Sequence, residues 1–341
     1  MFKHEKKINY LFINWLRISL ILVFLMVIVG GLTRLTNSGL SITEWELFKG
    51  ILPPLNNSSW NTYFELYKEI PQYKLLNFNM KIEEFKIIFY WEYFHRVLGR
   101  FIGLFFMIPL LFFYFNNTIN RDYLKLCYLI FILILAQGAI GWYMVKSGLT
   151  NDVTVSHYRL SLHLSVAFII ISIIFWIIIN FQNKTIKKFL DFSKQNLVFL
   201  ILISLIFLQI NLGAFVSGLD AGKIYQTWPL MGYSYFPNDL IIENIGSLID
   251  FNNHSLVQFY HRNLSYLIVL YIIGLSYFII KKKFIKLYKP LVFIFIFLLL
   301  QIILGILTLI SGLNIYLSSA HQINSVLLVF SSINLYYFHI K

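Results

Sequence analysis

Long apolar runs alternate along the chain with short stretches that hold most of its lysines. Crossing a bilayer takes about 20 mainly apolar residues, within a range of roughly 17–25. Eight segments meet that length, approximately 12–33, 88–115, 124–146, 158–180, 196–217, 256–280, 289–311 and 316–338. The pattern predicts an all-α polytopic membrane protein with eight transmembrane helices. The first run, Phe12 to Val29, is long enough to span and lacks a small-residue cleavage site, so it reads as a helix and not as a removable signal. Pro109 is the only proline well inside a segment, which argues against a transporter with helices broken at mid-membrane.

Charge fixes the expected orientation. Basic residues cluster at Lys3, Lys6 and Lys7, at Arg121 and Lys125, at Lys184, Lys187, Lys188 and Lys194, and at Lys281 to Lys283 with Lys286 and Lys289. Each cluster lies on the same side of the span pattern, as cytoplasmic loops do. Both termini are therefore expected in the cytoplasm, and 34–87, 147–157, 218–255 and 312–315 outside. The net charge of +13 thus reflects membrane orientation and not a nucleic-acid partner. Composition agrees, since 58% of the 341 residues are hydrophobic and only 13% charged, about half the charge of a soluble domain. The N-terminus lacks the Arg- and Ser-rich bias of a mitochondrial leader, so a bacterial inner membrane is expected. A single cysteine, Cys127, excludes an intrachain disulfide. The two longer outer loops carry turn residues and aromatics (Pro53-Pro54, Trp60, Trp228-Pro229, Pro237) and read equally as lids or as solvated connectors.

An internal repeat organises the spans. Tyr93-Phe94-His95-Arg96 in segment two returns as Phe259-Tyr260-His261-Arg262 in segment six, 166 residues later. Gln137-Gly138-Ala139-Ile140-Gly141 with Ser147-Gly148-Leu149 returns as Gln301-Ile302-Ile303-Leu304-Gly305 with Ser311-Gly312-Leu313, at an offset of 164. His163 and His321 are 158 apart, and Gly30-Gly31 matches Gly213-Ala214 near the outer ends of segments one and five. An even number of spans per half makes a parallel repeat. The expected architecture is two pseudo-symmetric four-helix bundles, 1–182 and 183–341, a form that builds cofactor sites between facing helices.

Imidazoles inside a membrane are costly and mark functional sites. His95, His163, His261 and His321 are expected at one depth, with one pair from the second and fourth helices of each half. Two imidazoles facing each other across a bundle ligate iron from both faces of a porphyrin, so two pairs point to two hemes. A zinc site would need a tetrahedral cluster with thiolate or carboxylate help, and Cys127 lies in the other half of its helix. His157 and His254 sit at the outer mouths of their segments, as solvated residues or propionate contacts. Arg96 and Arg262, next to the histidines, suit anionic propionates. Arg34, Arg100 and Arg159 are alternatives that the pattern does not rank. Gly138, Gly141 and Gly305 suit close approach either of helices or of a flat ring.

One asymmetry separates the halves. Glu92 stands three residues before His95 and so shares its helix face, whereas the corresponding residue before His261 is the neutral Gln258. A carboxylate in one half only suggests that this half transforms its heme while the other holds a permanent one; a glutamate at the water interface is the plainer reading.

The run from Gly30 to Ser41 (Gly-Gly-Leu-Thr-Arg-Leu-Thr-Asn-Ser-Gly-Leu-Ser), Glu92-x-x-His95-Arg96 and the paired histidines together resemble the heme A synthase family over nearly the whole chain. The resemblance implies an oxidoreductase that oxidises the C8 methyl of heme O to a formyl group, making heme A for terminal oxidases. It implies that His95 and His163 bind the substrate heme O, that Glu92 is catalytic, and that His261 and His321 are axial ligands of the iron of a resident heme b. The first outer loop lacks the cysteine pair of some members, which places the chain with the alphaproteobacterial and mitochondrial type. A poorly soluble substrate implies handover from a heme O synthase, and electrons must leave to an acceptor that the sequence does not identify. Self-association into a homo-oligomer is compatible with all of this. The competing reading is a diheme cytochrome b that oxidises quinol.

Overall fold

In the computed structural model of the chain, residues 2–44, 49–117, 119–150, 153–242 and 244–340 are described. Among them form α1 (Phe2–Leu35), α2 (Asn57–Lys68), α3 (Pro71–Leu76), α4 (Ile82–Asn116), α5 (Arg121–Gly148), α6 (His157–Gln182), α7 (Leu197–Gly218), α8 (His254–Lys281), α9 (Tyr288–Ile310) and α10 (Ile315–His339), and no β-strand. A long helix thus stands at each of the eight apolar segments. Seven are long and apolar enough to cross a membrane. The eighth, α10, falls outside that group, because Ser318, Ser319, His321, Asn324, Ser331 and Ser332 lower its hydropathy. Large apolar side chains such as Leu270, Tyr277, Ile132 and Leu299 stand exposed along these helices. Lipid tails cover such faces without cost, where water would not. The chain is a multi-pass, all-α membrane protein.

Contacts divide it into two compact units, Met1–Ile178 and Ile179–Lys341. In the first, α4 packs on α1 and on α5. Aromatic side chains fill one end of that contact: Trp15 lies 4.7 Å from Phe106 and 5.4 Å from Phe113 between ring centroids, and Phe12 meets Phe113 edge-on at 5.2 Å. Pro109 removes one helical donor, which leaves the carbonyl of Phe105 without its usual partner. The indole N–H of Trp15 supplies the replacement at 3.2 Å. A neighbouring helix thereby satisfies a backbone group that lipid cannot.

The long loop between α1 and α4 is an ordered body and not a solvated connector across its described part. Asn56 caps α2 by accepting from the Ser59 N–H at 2.8 Å, and Pro71 opens α3 where its missing N–H is not needed. Trp60, Phe64 and Tyr67 recur at helical spacing on α2 and bury one face against Phe85, Ile88 and Phe89 of α4. That packing, with the Glu84 carboxylate accepting from the Lys81 N–H at 2.8 Å, starts α4 at Ile82, ahead of its expected apolar run. Tyr67 is fully buried, donates to Gln72 and accepts from Asn77; burial pushes its phenol up to about 12.

In the second unit α7 packs on α8, and α10 on both α9 and α7. The Lys187 ammonium closes the end of α10 by donating to the carbonyls of Tyr337 and Ile340. Each unit also packs a leucine against a glycine between an outer loop and a helix end, with the partners exchanged. A Cβ at Gly148, ending α5, would lie 3.1 Å from Leu40 of the loop, whereas one at Gly222 of the loop would lie 2.7 Å from Leu313 after α9.

Candidate functional site

Four histidines on even-numbered helices each face a glycine on the helix that precedes or pairs with them. A Cβ added at Gly30 of α1 would stand 3.0 Å from Cε1 of His95 on α4, and at Gly141 of α5 it would stand 3.1 Å from Cε1 of His163 on α6. In the second unit the distances are 3.1 Å for Gly213 of α7 against His261 of α8 and 2.9 Å for Gly305 of α9 against His321 of α10. Only glycine lets the two backbones flank an imidazole this closely. Gly138, by contrast, meets nothing within 4 Å. Of the three glycines left open by the sequence, two therefore serve the histidines and one does not.

The structure brings His95 and His163 together, with ring centroids 6.4 Å apart and ring planes tilted by 57°. An iron–imidazole bond of about 2 Å on each porphyrin face separates two axial rings by roughly 6 Å between centroids, so the pair fits one heme iron. His261 and His321 lie within electrostatic range of each other. The Nδ1 atoms of all four rings are buried without a hydrogen-bond partner among the described residues. Buried polar atoms of this kind call for a ligand or a donor. The residues present fit a bis-histidine heme between His95 and His163, and His261 and His321 repeat its facing glycines and unpartnered Nδ1 atoms.

Glutamines brace three of the four histidines. Gln137 donates to the carbonyl of His163 at 2.8 Å, and Gln209 to the carbonyl of His261 at 2.9 Å while standing 3.5 Å from its Nε2. Gln301 contacts Nε2 of His321 at 3.2 Å, and Asn324 donates to the Gln301 Oε1 at 2.7 Å. Gln209 and Asn324 escaped the sequence reading. The available signal was spacing, since each glutamine lies four residues before the glycine that faces the histidine.

Glu92 is 2% exposed and its carboxylate is held by four donors. The Ser41 hydroxyl and the Ile42 N–H reach Oε2 at 2.7 and 2.9 Å, and Nε and Nη2 of Arg96 reach Oε1 at 3.1 and 2.6 Å. All of its roughly four acceptor positions are thereby used. Arg96 also donates to the carbonyls of Ile42 at 2.8 Å and Glu44 at 3.3 Å, while Arg100 and Tyr93 donate to those of Gly50 and Ile51 at 3.0 and 2.6 Å. One face of α4 thus latches the outer loop through its main chain. In the second unit Gln258 donates to the Tyr225 carbonyl at 2.9 Å, which also accepts from Nη2 of Arg262 at 2.9 Å. Nη1 of Arg262 reaches the carbonyls of Thr227 and Leu230. The phenol of Tyr225 donates to Asp239, and burial together with that carboxylate raises its pKa.

The remaining arginines are occupied elsewhere, Arg34 with Asn37 at 2.9 Å and Arg159 with Ser147 and over the ring of Tyr143. His157 is buried against the ring of Tyr158, and His254 opens α8 in an exposed position.

A family model described as cytochrome oxidase assembly protein, COX15-CtaA, matches residues 13–333. The chain belongs to the COX15-CtaA family. Among its relatives, the protein named heme A synthase from Pelagibacter ubique (strain HTCC1062) is 51% identical over 319 residues, covering 93% of each chain. Proteins with the same name from Rickettsia felis and Rickettsia canadensis are each 42% identical, over 96% of this chain and 97% of theirs. The resemblance read from the Gly30–Ser41 run and the Glu92-x-x-His95-Arg96 motif is borne out at the level of the family, which bears on heme A biosynthesis for oxidases.

Proposed function

We propose that this chain is an oxidoreductase that converts heme O to heme A, with the substrate heme between His95 and His163 in the half 1–182 and a resident heme b between His261 and His321 in the half 183–341. Eight spans in a parallel repeat, in a bacterial inner membrane with both termini cytoplasmic, complete the arrangement. The observation that carries the assignment of the reaction to the first half is Glu92. A buried carboxylate, ion-paired to Arg96, stands one helical turn from His95, and its place beside His261 is taken by the neutral Gln258.

In each of two steps the C8 methyl carbon gives up two electrons and two protons and takes up the oxygen of one water, forming an alcohol and then a hydrate that loses water to leave the formyl group. Positive charge or acidity develops at that carbon as electrons leave. Glu92 meets it with a fixed negative charge, held in place by Ser41, the Ile42 N–H and Arg96 so that no reorganisation is needed at the moment of reaction. Acting as a proton acceptor would require one of these donors to let go first. Ser41 is therefore a positioning residue for the carboxylate. The histidines and their facing glycines hold the porphyrin plane between the helices. His261 and His321 would hold heme b, which would supply one-electron redox capacity for the electrons leaving the substrate. Arg96 and Arg262 contact propionates by giving up loop carbonyls, and a heme O synthase supplies the substrate.

Glu92→Gln tests the assignment. The variant is expected to fold, to retain its hemes and to lose heme A production in cells that supply heme O. Unchanged heme A output from a heme-loaded variant would remove Glu92 from the mechanism. Mass analysis of extracted hemes separates this reading from a quinol-oxidising cytochrome, which would yield no formyl porphyrin.

A further inference from the structure

A substrate heme must enter and leave at each turnover, so at least one of its axial ligands has to release easily, whereas both ligands of a resident heme must hold. The side chains around the four histidines differ in the sense this requires. Gln137, Gln209 and Gln301 occupy the same place relative to the facing glycine, and each touches the histidine of the neighbouring helix through a polar contact. In α1 that place, four residues before Gly30, is held by Met26. A Cβ at Gly99, one turn from His95 on α4, would lie 3.1 Å from the methyl carbon of Met26, so the thioether packs on α4 where an amide would brace it. A polar link from α1 to α4 joins the Thr33 hydroxyl to the Trp91 carbonyl at 3.4 Å.

We propose that Met26 leaves His95 as the exchangeable axial ligand of the substrate heme, and that the glutamine brace at the other three histidines marks the ligands that stay bound. Met26 acts through His95 and is a positioning residue. The physical basis is a competition. A histidine whose own carbonyl or ring is held from the neighbouring helix, as His163, His261 and His321 are, loses less freedom on binding iron and moves away less readily. A net hydrogen bond changes such a balance by roughly three- to tenfold. The inference rests on the reading that the His95–His163 pair holds the substrate heme and deepens it by naming which ligand lets go.

Carbon monoxide reports ligand release directly, because it binds a reduced bis-histidine iron only after one imidazole has left. On the purified full-length protein carrying both hemes, reduced with dithionite, one heme is expected to bind carbon monoxide readily. Met26→Gln should slow that phase by roughly three- to tenfold and leave more heme A bound to the purified protein. Met26→Leu, which restores the apolar contact, should bind at the wild-type rate. The reciprocal Gln209→Met should render the second heme reactive. A carbon monoxide phase that follows His95→Ala but is indifferent to both Met26→Gln and Gln209→Met overturns the inference while sparing the assignment of halves. A reactive phase that His261→Ala accelerates and His95→Ala leaves unchanged overturns that assignment, and the inference with it.

Discussion

Gly213→Ala places a single methyl group where the structure leaves no room for it. The new carbon would stand 3.1 Å from Cε1 of His261 and 3.7 Å from its Nδ1. Carbon atoms rest at about 3.5–4.0 Å, so the ring must retreat by about half an ångström or turn away from its rotamer. A displacement of that kind costs roughly 0.5–1.5 kcal/mol, which is about a two- to tenfold loss of affinity for the heme held by this ring. The helix itself gains, because alanine in place of glycine favours a helix interior by about 1 kcal/mol. Heme occupancy and fold stability are thus pushed in opposite directions, which a general loss of structure cannot imitate. Heme b per protein, titrated at limiting heme with the low-spin spectrum recorded alongside, is the assay. Gly274→Ala serves as the control, since a Cβ on that face of α8 meets nothing within 4 Å. The reasoning fails if Gly213→Ala keeps full affinity and an unchanged spectrum, or if Gly274→Ala loses heme to the same degree.

Other expectations follow from the same contacts. Trp15→Phe removes the donor that serves the Phe105 carbonyl and should cost about 1 kcal/mol in a detergent unfolding assay, with most of that cost absent in a Pro109→Ala background, where the helical N–H returns. Asn324→Val removes the amide that donates to Gln301 Oε1 at 2.7 Å and to the Phe297 carbonyl at 2.8 Å, both on α9; transfer of heme b to apomyoglobin should then accelerate by roughly three- to tenfold. Phe85→Ala opens a cavity in the aromatic core beneath α2 and should destabilise that outer body by about 3–5 kcal/mol, seen as proteolytic nicking between residues 49 and 81 while the membrane helices stay intact.

Hydropathy alone marked the eight long helices, because a bilayer imposes one requirement on every spanning segment. It was least informative at α10, where serine, asparagine and histidine dilute the apolar signal, and at the start of α4, where packing against α2 extends the helix beyond its apolar run. The histidine pairs were legible through the repeat, and Gly30, Gly141, Gly213 and Gly305 through their matching positions. Gln209, Asn324 and Met26 were not, since a solitary polar or thioether side chain in a span acquires meaning only from what it touches on another helix. Glu92 was visible as an asymmetry on one helix face. Its hold by Ser41 and Ile42, some 50 residues away in sequence, is a tertiary fact that no local period encodes. Arg96 shows the same limit, since nothing local announces that its donors reach Glu92 and the carbonyls of a distant loop.

Those carbonyls carry a consequence for how the loops can change. Tyr93, Arg96 and Arg100 grip the first outer loop by its main-chain oxygens at Ile42, Glu44, Gly50 and Ile51, and Arg262 grips the second at Tyr225, Thr227 and Leu230. A main-chain oxygen is supplied by every residue type, so the grip is blind to which side chains the loops display. Substitutions there can accumulate, and new surfaces for an assembly partner can be tried, without loosening the closure above the histidines. The chemistry below and the society above are free to evolve at different rates.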